Sequence, residues 1–257
     1  ASTIAMRSVR NDILTGPVLN QALHVADDPN DPVQARAADI GDAHQNRFWM
    51  DAFMQGKYPQ VLIDNYGDEL LSVIKDGDLE AATVKNDFIG INYYFDNRIG
   101  KSLGGKPEWH SISGLFDLDI DETPRGPLTD MGWPLTPNGL EELLVRWHKE
   151  YGDKLPDLYI TENGAAYDEG PDANGQVKDQ RRIDYLQTHL SAVSNAIAKG
   201  SPVKGYYQWS LMDNFEWALG YEKRFGIVYV DFNTQERIIK DSAKWYADVI
   251  KNNGANL

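Results

Sequence analysis

Four short and nearly continuous apolar runs are the feature that most constrains how this chain can fold. They are GPVLNQAL at 16–23, DFIGINYY at 87–94, LYITENG at 158–164 and VKGYYQW at 203–209. Runs of this length and apolarity are typical of parallel strands that are buried on both faces of a sheet. Each run contains or ends in polar residues. The sequence therefore predicts four parallel strands with polar side chains gathered at one edge of the sheet.

Helical patterns lie between and after these runs. Thr136 is expected to cap a helix that opens at Pro137, and a second apolar face runs from Ile183 to Ile197. A third helix is expected near the C-terminus, around 243–250. Strands that alternate with helices indicate βα units, and the predicted fold class is α/β, a (β/α)8 TIM barrel. Long connections such as 95–135, which has no clear periodicity, usually carry function.

The length of the chain does not match the number of units. A complete barrel of this kind has about 250 residues, yet only four convincing βα units can be found in the 257 residues. No low-complexity linker or short repeat divides the chain. We therefore expect a single domain over residues 1–257 that forms half of a barrel.

Composition narrows the possible partners. The chain has 39 acidic and 25 basic residues, a net charge of -14, which argues against nucleic acid and anionic membranes as partners. It has no cysteine, and its five histidines do not cluster at ligand spacing, so no metal and no cofactor is expected. No apolar run is long enough to span a bilayer and no signal peptide is found, so a cytoplasmic location is expected.

The motif with the sharpest chemical meaning is Ile160-Thr161-Glu162-Asn163-Gly164. A strand that ends in a carboxylate and then turns through Asn-Gly would hold an acid rigidly at the mouth of a barrel. Retaining glycosidases need such a carboxylate as the nucleophile that attacks the anomeric carbon. A solvated glutamate before an Asn-Gly turn is the alternative, and the motif by itself leaves the two interpretations equally open.

Longer blocks of sequence decide between them. Four of these blocks resemble glycoside hydrolase family 1 in their order and spacing. They are HQNRFWMDAFMQGKYP at 44–59, MGWPLTPNGL at 131–140, QWSLMDNFEWALGYEKRFGIVYVDF at 208–232 and KDSAKWY at 240–246. DFIGINYY and YITENG belong to the same series. The resemblance covers nearly the whole chain. It implies the fifth to eighth βα units, the C-terminal half, of a β-glucosidase barrel.

The resemblance implies roles for three residues at the centre of the site. Glu162 matches the catalytic nucleophile, which forms a covalent glycosyl-enzyme intermediate. Tyr94 matches the tyrosine that donates a hydrogen bond to that nucleophile, and Asn92 lies near it at the end of the same strand.

Four further residues match sugar contacts of the family. Glu216 matches the carboxylate that holds the 4- and 6-hydroxyls, and Trp217 matches the indole that donates towards the 3-hydroxyl. Trp209 matches the platform beneath the sugar ring, and Trp133 matches an aromatic residue between the glycone and aglycone sites. Indole rings stack well on the CH face of a pyranose, and a carboxylate forms stronger hydrogen bonds than a neutral group. The other tryptophans are predicted to be structural: Trp49, Trp109, Trp147 and Trp245.

One part of the family's chemistry is missing from the sequence. The family carries its general acid/base in an Asn-Glu-Pro motif, which does not occur in these 257 residues. The expected partners are therefore a β-glucoside or cello-oligosaccharide substrate and the N-terminal half of the same enzyme, and this chain alone is expected to be inactive. Two alternatives are a carbohydrate-binding pseudo-enzyme and a phospho-β-glycosidase. The second is disfavoured because those members usually have serine where Glu216 stands.

Overall fold

The computed structural model describes residues 2–102 and 111–257. Its main sheet consists of four parallel strands in the order β1-β3-β6-β7. The strands are β1 (Val18–Asn20), β3 (Phe88–Asn92), β6 (Asp157–Asn163) and β7 (Val203–Gln208). Each one lies within, or within a residue of, one of the four apolar runs, so the predicted parallel sheet is confirmed.

Two smaller sheets extend this framework. The first is formed by β2 (His24–Ala26), β4 (Asn97–Lys101) and β5 (Ile120–Asp121), and the second is a hairpin of β8 (Val228–Val230) and β9 (Arg237–Ile239). The long connection 95–135, in which the sequence shows no clear periodicity, therefore contains β4 and β5. The strands β4 and β5 are short and make their hydrogen bonds with distant segments, which leaves little periodicity in the local sequence. Residues 103–110 of this connection, including Trp109, lie outside the described residues.

The helices occupy the connections between the main strands. They are α1 (Ser2–Val9), α2 (Pro32–Asp42), α3 (Phe48–Gln55), α4 (Gln60–Tyr66), α5 (Asp68–Val73), α6 (Asp78–Ala82), α7 (Ile112–Phe116), α8 (Pro137–Tyr151), α9 (Gln180–Ala198) and α10 (Asp241–Lys251). A π-helical turn, Ala43–Arg47, joins α2 to α3, and Gly152–Lys154 and Trp217–Leu219 are 3₁₀ turns. The three predicted helices correspond to α8, α9 and α10, so each of the four strands is followed by helix.

Packing of α8 against the sheet forms the centre of the core. The apolar face of α8 is fully buried, as are the facing strand residues. The α8 residues are Leu140, Leu143, Leu144 and Trp147, and the strand residues are Ile89, Ile91, Leu158 and Ile160. Each such side chain contributes roughly 1.5–3 kcal/mol on burial. The indole nitrogen of Trp147 donates a hydrogen bond to Gln21 Oε1 at 2.9 Å, which satisfies its polar atom inside the core.

Thr136 occupies the N-cap of α8, but its side chain does not cap the helix. Its hydroxyl instead accepts a hydrogen bond from the Asp96 amide at 2.9 Å and bonds the Tyr93 hydroxyl at 3.0 Å. The Asp96 carboxylate packs on the first turn of α8, where a Cβ on Gly139 would lie 2.0 Å from it. The expected capping bond was therefore wrong, because tertiary partners hold the hydroxyl.

The main sheet leaves both of its outer edges unpaired within the described residues. Val18 on the edge strand β1 is 52% exposed, and Tyr207 on the opposite edge strand β7 is 57% exposed. Unpaired edges and exposed apolar side chains of this kind are usually covered by further structure. This geometry is what half of a barrel presents.

Candidate active site

The carboxyl ends of the four parallel strands bring polar side chains into one row. Asn20 on β1 lies in register with Asn92 on β3, and Asn92 lies in register with Glu162 on β6. On the other side of Glu162, Asn163 is paired with Gln208 of β7, and the Trp209 amide donates to the Asn163 carbonyl at 3.0 Å. Asn92, Glu162 and Trp209 are therefore neighbours at the same edge of the sheet, where the active sites of (β/α)8 barrels form.

Glu162 is held by Tyr94. The Tyr94 hydroxyl donates a hydrogen bond of 2.6 Å to Glu162 Oε2, a short distance that is typical of a hydroxyl bound to an ionised carboxylate. Burial, and then this hydrogen bond, raise the pKa of Tyr94 far above its ordinary value. Tyr94 is therefore a neutral donor at any physiological pH, and it fixes one carboxylate oxygen while the other has no partner among the described side chains.

Asn92 is oriented by the residue that precedes Glu162. The Thr161 hydroxyl donates to Asn92 Oδ1 at 2.6 Å, which links the ends of β3 and β6. Because the amide oxygen is occupied in this way, the amide N–H groups are what Asn92 can offer to a ligand.

Aromatic rings form a wall next to Tyr94. The ring of Trp133 lies 5.1 Å from that of Tyr94, 5.3 Å from Phe95 and 5.9 Å from the buried Phe225. Edge-to-face and tilted contacts at these distances hold rings rigidly. Phe225 was not identified from the sequence, since nothing marks one apolar residue in the RFG segment as part of a site.

Glu216 and Trp217 lie in the segment that follows β7. Glu216 is only 9% exposed and accepts a hydrogen bond from Asn214 Nδ2 at 3.2 Å. Its negative charge contributes to raising the pKa of Tyr94, the residue that holds Glu162. Trp217 begins a 3₁₀ turn and is 80% exposed, which leaves its indole available to a ligand or to further protein.

Asn163 has a larger role than the sequence indicated. It does not start a turn, as expected, but is the last residue of β6 and is completely buried. Its amide nitrogen donates to the Tyr93 carbonyl at 2.7 Å and to the Tyr185 hydroxyl at 2.9 Å, and its oxygen accepts from the Tyr206 hydroxyl at 2.7 Å. One side chain thus joins three strands and α9 immediately beside Glu162.

Gly164 is required by the same close packing. A Cβ at this position would lie 1.8 Å from the Trp209 carbonyl oxygen, so only glycine lets the ends of β6 and β7 approach each other.

The sequence signal that could have revealed the hydrogen-bond network of Asn163 is the set of tyrosines near the strand ends, whose hydroxyls need buried partners.

The tryptophans expected to be structural fall into different environments. Trp147 is completely buried, whereas Trp49 is 46% exposed and makes an edge-to-face contact with Phe48 and a tilted one with Phe53. Within the described residues, no group of histidine, aspartate and glutamate side chains is arranged to hold a metal ion. Nor does that part of the chain contain a helix that is long and apolar enough to cross a membrane.

Barrel enzymes carry their catalytic groups at the carboxyl ends of the parallel strands, and glycoside hydrolases use carboxyl groups for their chemistry, so the position of Glu162 fits a barrel glycoside hydrolase. The sequence matches the glycosyl hydrolase family 1 over residues 2–255, and the chain belongs to that family. It is 43% identical over 206 residues to β-glucosidase A of Thermotoga maritima, a match that covers 80% of this chain and 43% of the relative. It is also 40% identical over 246 residues to a 6-phospho-β-galactosidase of Staphylococcus aureus, which covers 86% of this chain and 51% of the relative.

Solved structures agree with this assignment. The crystal structure of a psychrophilic β-glucosidase from Micrococcus antarcticus matches with a TM-score of 0.89 and 40% identity, over 98% of this chain and 56% of that one. The family 1 β-glucosidase of Thermotoga maritima matches with a TM-score of 0.86 and 35% identity, over 100% of this chain and 55% of that one. Both are (β/α)8 barrels. This chain therefore corresponds to about half of such a barrel, as the count of βα units predicted.

Proposed function

We propose that this chain supplies, as a single domain over residues 1–257, the nucleophile-bearing half of a retaining β-glucosidase. The observation that carries the proposal is the 2.6 Å hydrogen bond from Tyr94 to Glu162 at the carboxyl end of the parallel sheet. It holds a carboxylate at a fixed position beside the aromatic wall of Trp133 and Phe225. A fixed carboxylate next to a surface suited to a sugar ring is what nucleophilic attack on a glycoside requires.

In the proposed reaction a Glu162 oxygen attacks the anomeric carbon, and the bond from that carbon to the glycosidic oxygen breaks. The leaving oxygen takes a proton from a second carboxyl group, which yields the free alcohol and a glycosyl ester on Glu162. Water, deprotonated by the same second carboxylate, then attacks the anomeric carbon, the bond from that carbon to the Glu162 oxygen breaks, and the sugar is released with its original configuration. Two displacements at one carbon account for retention.

The second carboxylate is proposed to lie outside these 257 residues. A retaining enzyme needs its two carboxyl groups about 5–5.5 Å apart. Glu216, the other carboxylate assigned to this site, is proposed to bind the sugar and is therefore not available as the acid. The chain spans about half of the length of the relatives that it matches, and the other half is the proposed source of the acid. We therefore propose the N-terminal half of a family 1 barrel as the partner of this chain.

The remaining residues are proposed to hold the glucosyl unit. Glu216 would accept hydrogen bonds from two sugar hydroxyls, since a nearly buried carboxylate is a strong and stationary acceptor. Trp209 would lie beneath the ring and Trp217 would donate to a hydroxyl, while Asn92 offers its amide N–H groups near Glu162. The proposed substrates are β-glucosides, including cello-oligosaccharides. The β-glucosidase of Thermotoga maritima has been solved in complex with deoxynojirimycin and with isofagomine lactam.

Covalent labelling tests the nucleophile. The complete enzyme that contains this chain is treated with a 2-deoxy-2-fluoro-β-glucosyl fluoride, and the labelled peptide is identified by mass spectrometry. We expect one sugar per chain on Glu162 and none in Glu162→Gln, while Glu222→Gln, which alters an exposed glutamate, is labelled normally. Label on another carboxylate would refute the assignment. Binding of glucose without any label would favour the carbohydrate-binding pseudo-enzyme.

Dependence on the leaving group tests the location of the acid. General acid assistance typically contributes about 10²–10⁴-fold, and only poor leaving groups need it. The purified chain, free of any other polypeptide, should not hydrolyse an alkyl β-glucoside. Any residual activity should be confined to aryl glucosides of acidic phenols. Alkyl glucoside turnover close to that of an intact relative would show that the acid lies within these residues.

A second candidate function is the hydrolysis of 6-phosphoglycosides, because 6-phospho-β-galactosidases are among the relatives. Glu216 argues against it. A phosphate dianion placed at the proposed 6-hydroxyl position would lie within a few ångströms of this carboxylate. In a partly buried site the electrostatic repulsion between the two groups would amount to several kcal/mol. Comparing an aryl β-glucoside with its 6-phosphate decides the question. Faster hydrolysis of the phosphorylated substrate would establish the second function instead.

A further inference from the structure

A cluster of buried charges lies behind the segment that carries Glu216, and the proposed reaction uses none of it. The cluster contains three cations and two anions: Arg182, Arg224, Lys240, Asp179 and Asp213. Four of these side chains are completely buried, and Arg224 is 15% exposed. Burying charges is costly unless each one is paired and hydrogen-bonded, so such a cluster fixes the positions of the segments that it joins.

Asp213 is the member of this cluster that lies in the sugar-binding segment. One oxygen accepts from Lys240 Nζ at 3.0 Å and from the Gly226 amide at 3.0 Å. The other accepts from Arg224 at 2.7 Å and from the Val230 amide at 3.3 Å. Four donors from three separate places in the sequence converge on a single carboxylate. Any displacement of Asp213 would leave buried charges unpaired, so its position is strongly determined.

Backbone contacts strengthen this anchor. The Asp213 amide donates to the Val228 carbonyl at 3.0 Å, which ties the segment to β8. A Cβ on Gly226 would lie only 2.1 Å from the Asp213 nitrogen, so the two backbones are in close contact. The segment after β7 is therefore fixed to the hairpin of β8 and β9 at Asp213.

A short chain of hydrogen bonds leads from the anchored segment to Glu216. The Ser210 hydroxyl lies 2.7 Å from the Met212 carbonyl and 3.1 Å from Asn214 Oδ1, so its one proton is shared between these two acceptors. Asn214 Nδ2 in turn donates to Glu216 Oε2 at 3.2 Å. Glu216 makes no hydrogen bond with the charged cluster itself among the described contacts. Its carboxylate is thus positioned through Asn214, the residue that directly follows Asp213.

We propose that Asp213 is a positioning residue for sugar recognition, which acts through Asn214 to hold Glu216 against the 4- and 6-hydroxyls of the substrate. This inference rests on the proposed function of Glu216. The inference predicts a change in selectivity between sugar substrates. Displacing Glu216 should affect sugars that carry the hydroxymethyl group at C5 more than sugars that lack it. The nucleophile Glu162, held separately by Tyr94, should be affected little.

The test compares Asp213→Asn with the unaltered sequence in the complete enzyme that contains this chain. Two substrates with the same aryl leaving group are used, a β-glucoside and the corresponding β-xyloside, which lacks C6. Weakening one hydrogen bond to a charged group corresponds to about 10- to 100-fold. We expect kcat/KM for the glucoside to fall by that factor, mainly through KM, and that for the xyloside, which keeps only the 4-hydroxyl contact with Glu216, to fall by a smaller factor.

A matched control is Asp231→Asn. Asp231 is in the turn between β8 and β9, where its carboxylate accepts from the Asn233 amide at 2.9 Å and the Thr234 amide at 3.1 Å. It lies in the hairpin to which Asp213 is tied, but none of the described hydrogen bonds of its side chain reaches the sugar-binding segment, so the glucoside-to-xyloside ratio should stay unchanged. If Asp213→Asn does not fold, the same comparison of substrates is made with Lys240→Met. That variant removes one of the four hydrogen-bond donors to Asp213 and leaves the ion pair between Asp213 and Arg224 in place.

The possible outcomes separate the two hypotheses. Equal losses on both substrates, or an unchanged ratio in a folded variant, would overturn the positioning role of Asp213. Failure of the unaltered enzyme to be labelled at Glu162 would instead overturn the proposed function. A lower ratio in Asp213→Asn together with normal labelling of Glu162 supports both.

Discussion

Asp96 provides a prediction whose magnitude can be worked out from the structure. Its carboxylate is buried between β3 and the first turn of α8, where it accepts a hydrogen bond of 2.7 Å from the Tyr93 hydroxyl. Burial raises the pKa of Asp96 from 3.8 to about 6, although the Tyr93 bond opposes the rise. A difference of this size between the folded and unfolded states corresponds to about 3 kcal/mol of folding free energy.

The direction of the pH effect follows from which state binds the proton. Below pH 3.8 both states are protonated, and Asp96 costs nothing. Between pH 3.8 and about 6 the folded state keeps a proton that the unfolded state has released, so the free energy of unfolding falls as the pH rises. Above pH 6 both states are ionised and the full cost remains. Ionised Asp96 therefore destabilises the fold at neutral pH.

Asp96→Asn should remove this dependence, because a neutral amide does not titrate. The difference in free energy of unfolding, variant minus parent, should increase by about 2–3 kcal/mol between pH 4 and pH 7. For a domain of this size that corresponds to a relative rise in Tm of about 5–10 °C. Scanning calorimetry of both proteins over that range measures it, and taking the difference cancels the other titrating groups.

A control with the opposite sign sharpens the test. Asp231 has its pKa lowered by hydrogen bonds from the Thr234 and Asn233 amides, so it contributes stability that is lost as the pH falls. The difference between Asp231→Asn and the parent should therefore move in the other direction with pH. A difference for Asp96→Asn that does not change from pH 4 to pH 7 would refute the argument from burial.

Three further substitutions have defined expectations. Tyr94→Phe removes the hydrogen bond that fixes Glu162 and should lower kcat/KM by about 10- to 100-fold with folding intact, as steady-state kinetics would show. Arg182→Met leaves Asp179 buried without its cation and should lower the free energy of unfolding by about 3–5 kcal/mol, measurable by urea denaturation. Gly164→Ala places a Cβ 1.8 Å from a backbone carbonyl just beyond β7, so little folded protein should be recovered in the soluble fraction.

Each of these has a matched control. Tyr66→Phe removes a hydroxyl that makes no hydrogen bond among the described residues, and Arg237→Met alters an exposed arginine of the hairpin. Gly170→Ala adds a Cβ that has no atom within 4 Å. All three should behave like the parent protein. Full activity in Tyr94→Phe, or normal stability in Arg182→Met or Gly164→Ala, would show that the corresponding contact has been overestimated.

The sequence by itself determined the strands and helices of the main layers. Buried parallel strands must be apolar over their whole length, and a helix that packs on them must be apolar on one face. The run at 87–94 and the spacing of Leu140, Leu143, Leu144 and Trp147 therefore revealed β3 and α8 without any knowledge of their neighbours. The same logic placed Glu162 at a strand end, since a polar residue that follows such a run must be at the edge of the sheet.

Only the tertiary structure decided which polar groups meet. Thr136 looked like a helix cap, but its hydroxyl bonds Asp96 and Tyr93, residues at least 40 positions away in sequence. Asn163 looked like part of a turn, but it is a buried link between three strands. These outcomes depend on hydrogen bonds between segments that are far apart along the chain. Local sequence carries no record of such partners, because the energy of a buried polar group depends on what the rest of the fold places next to it.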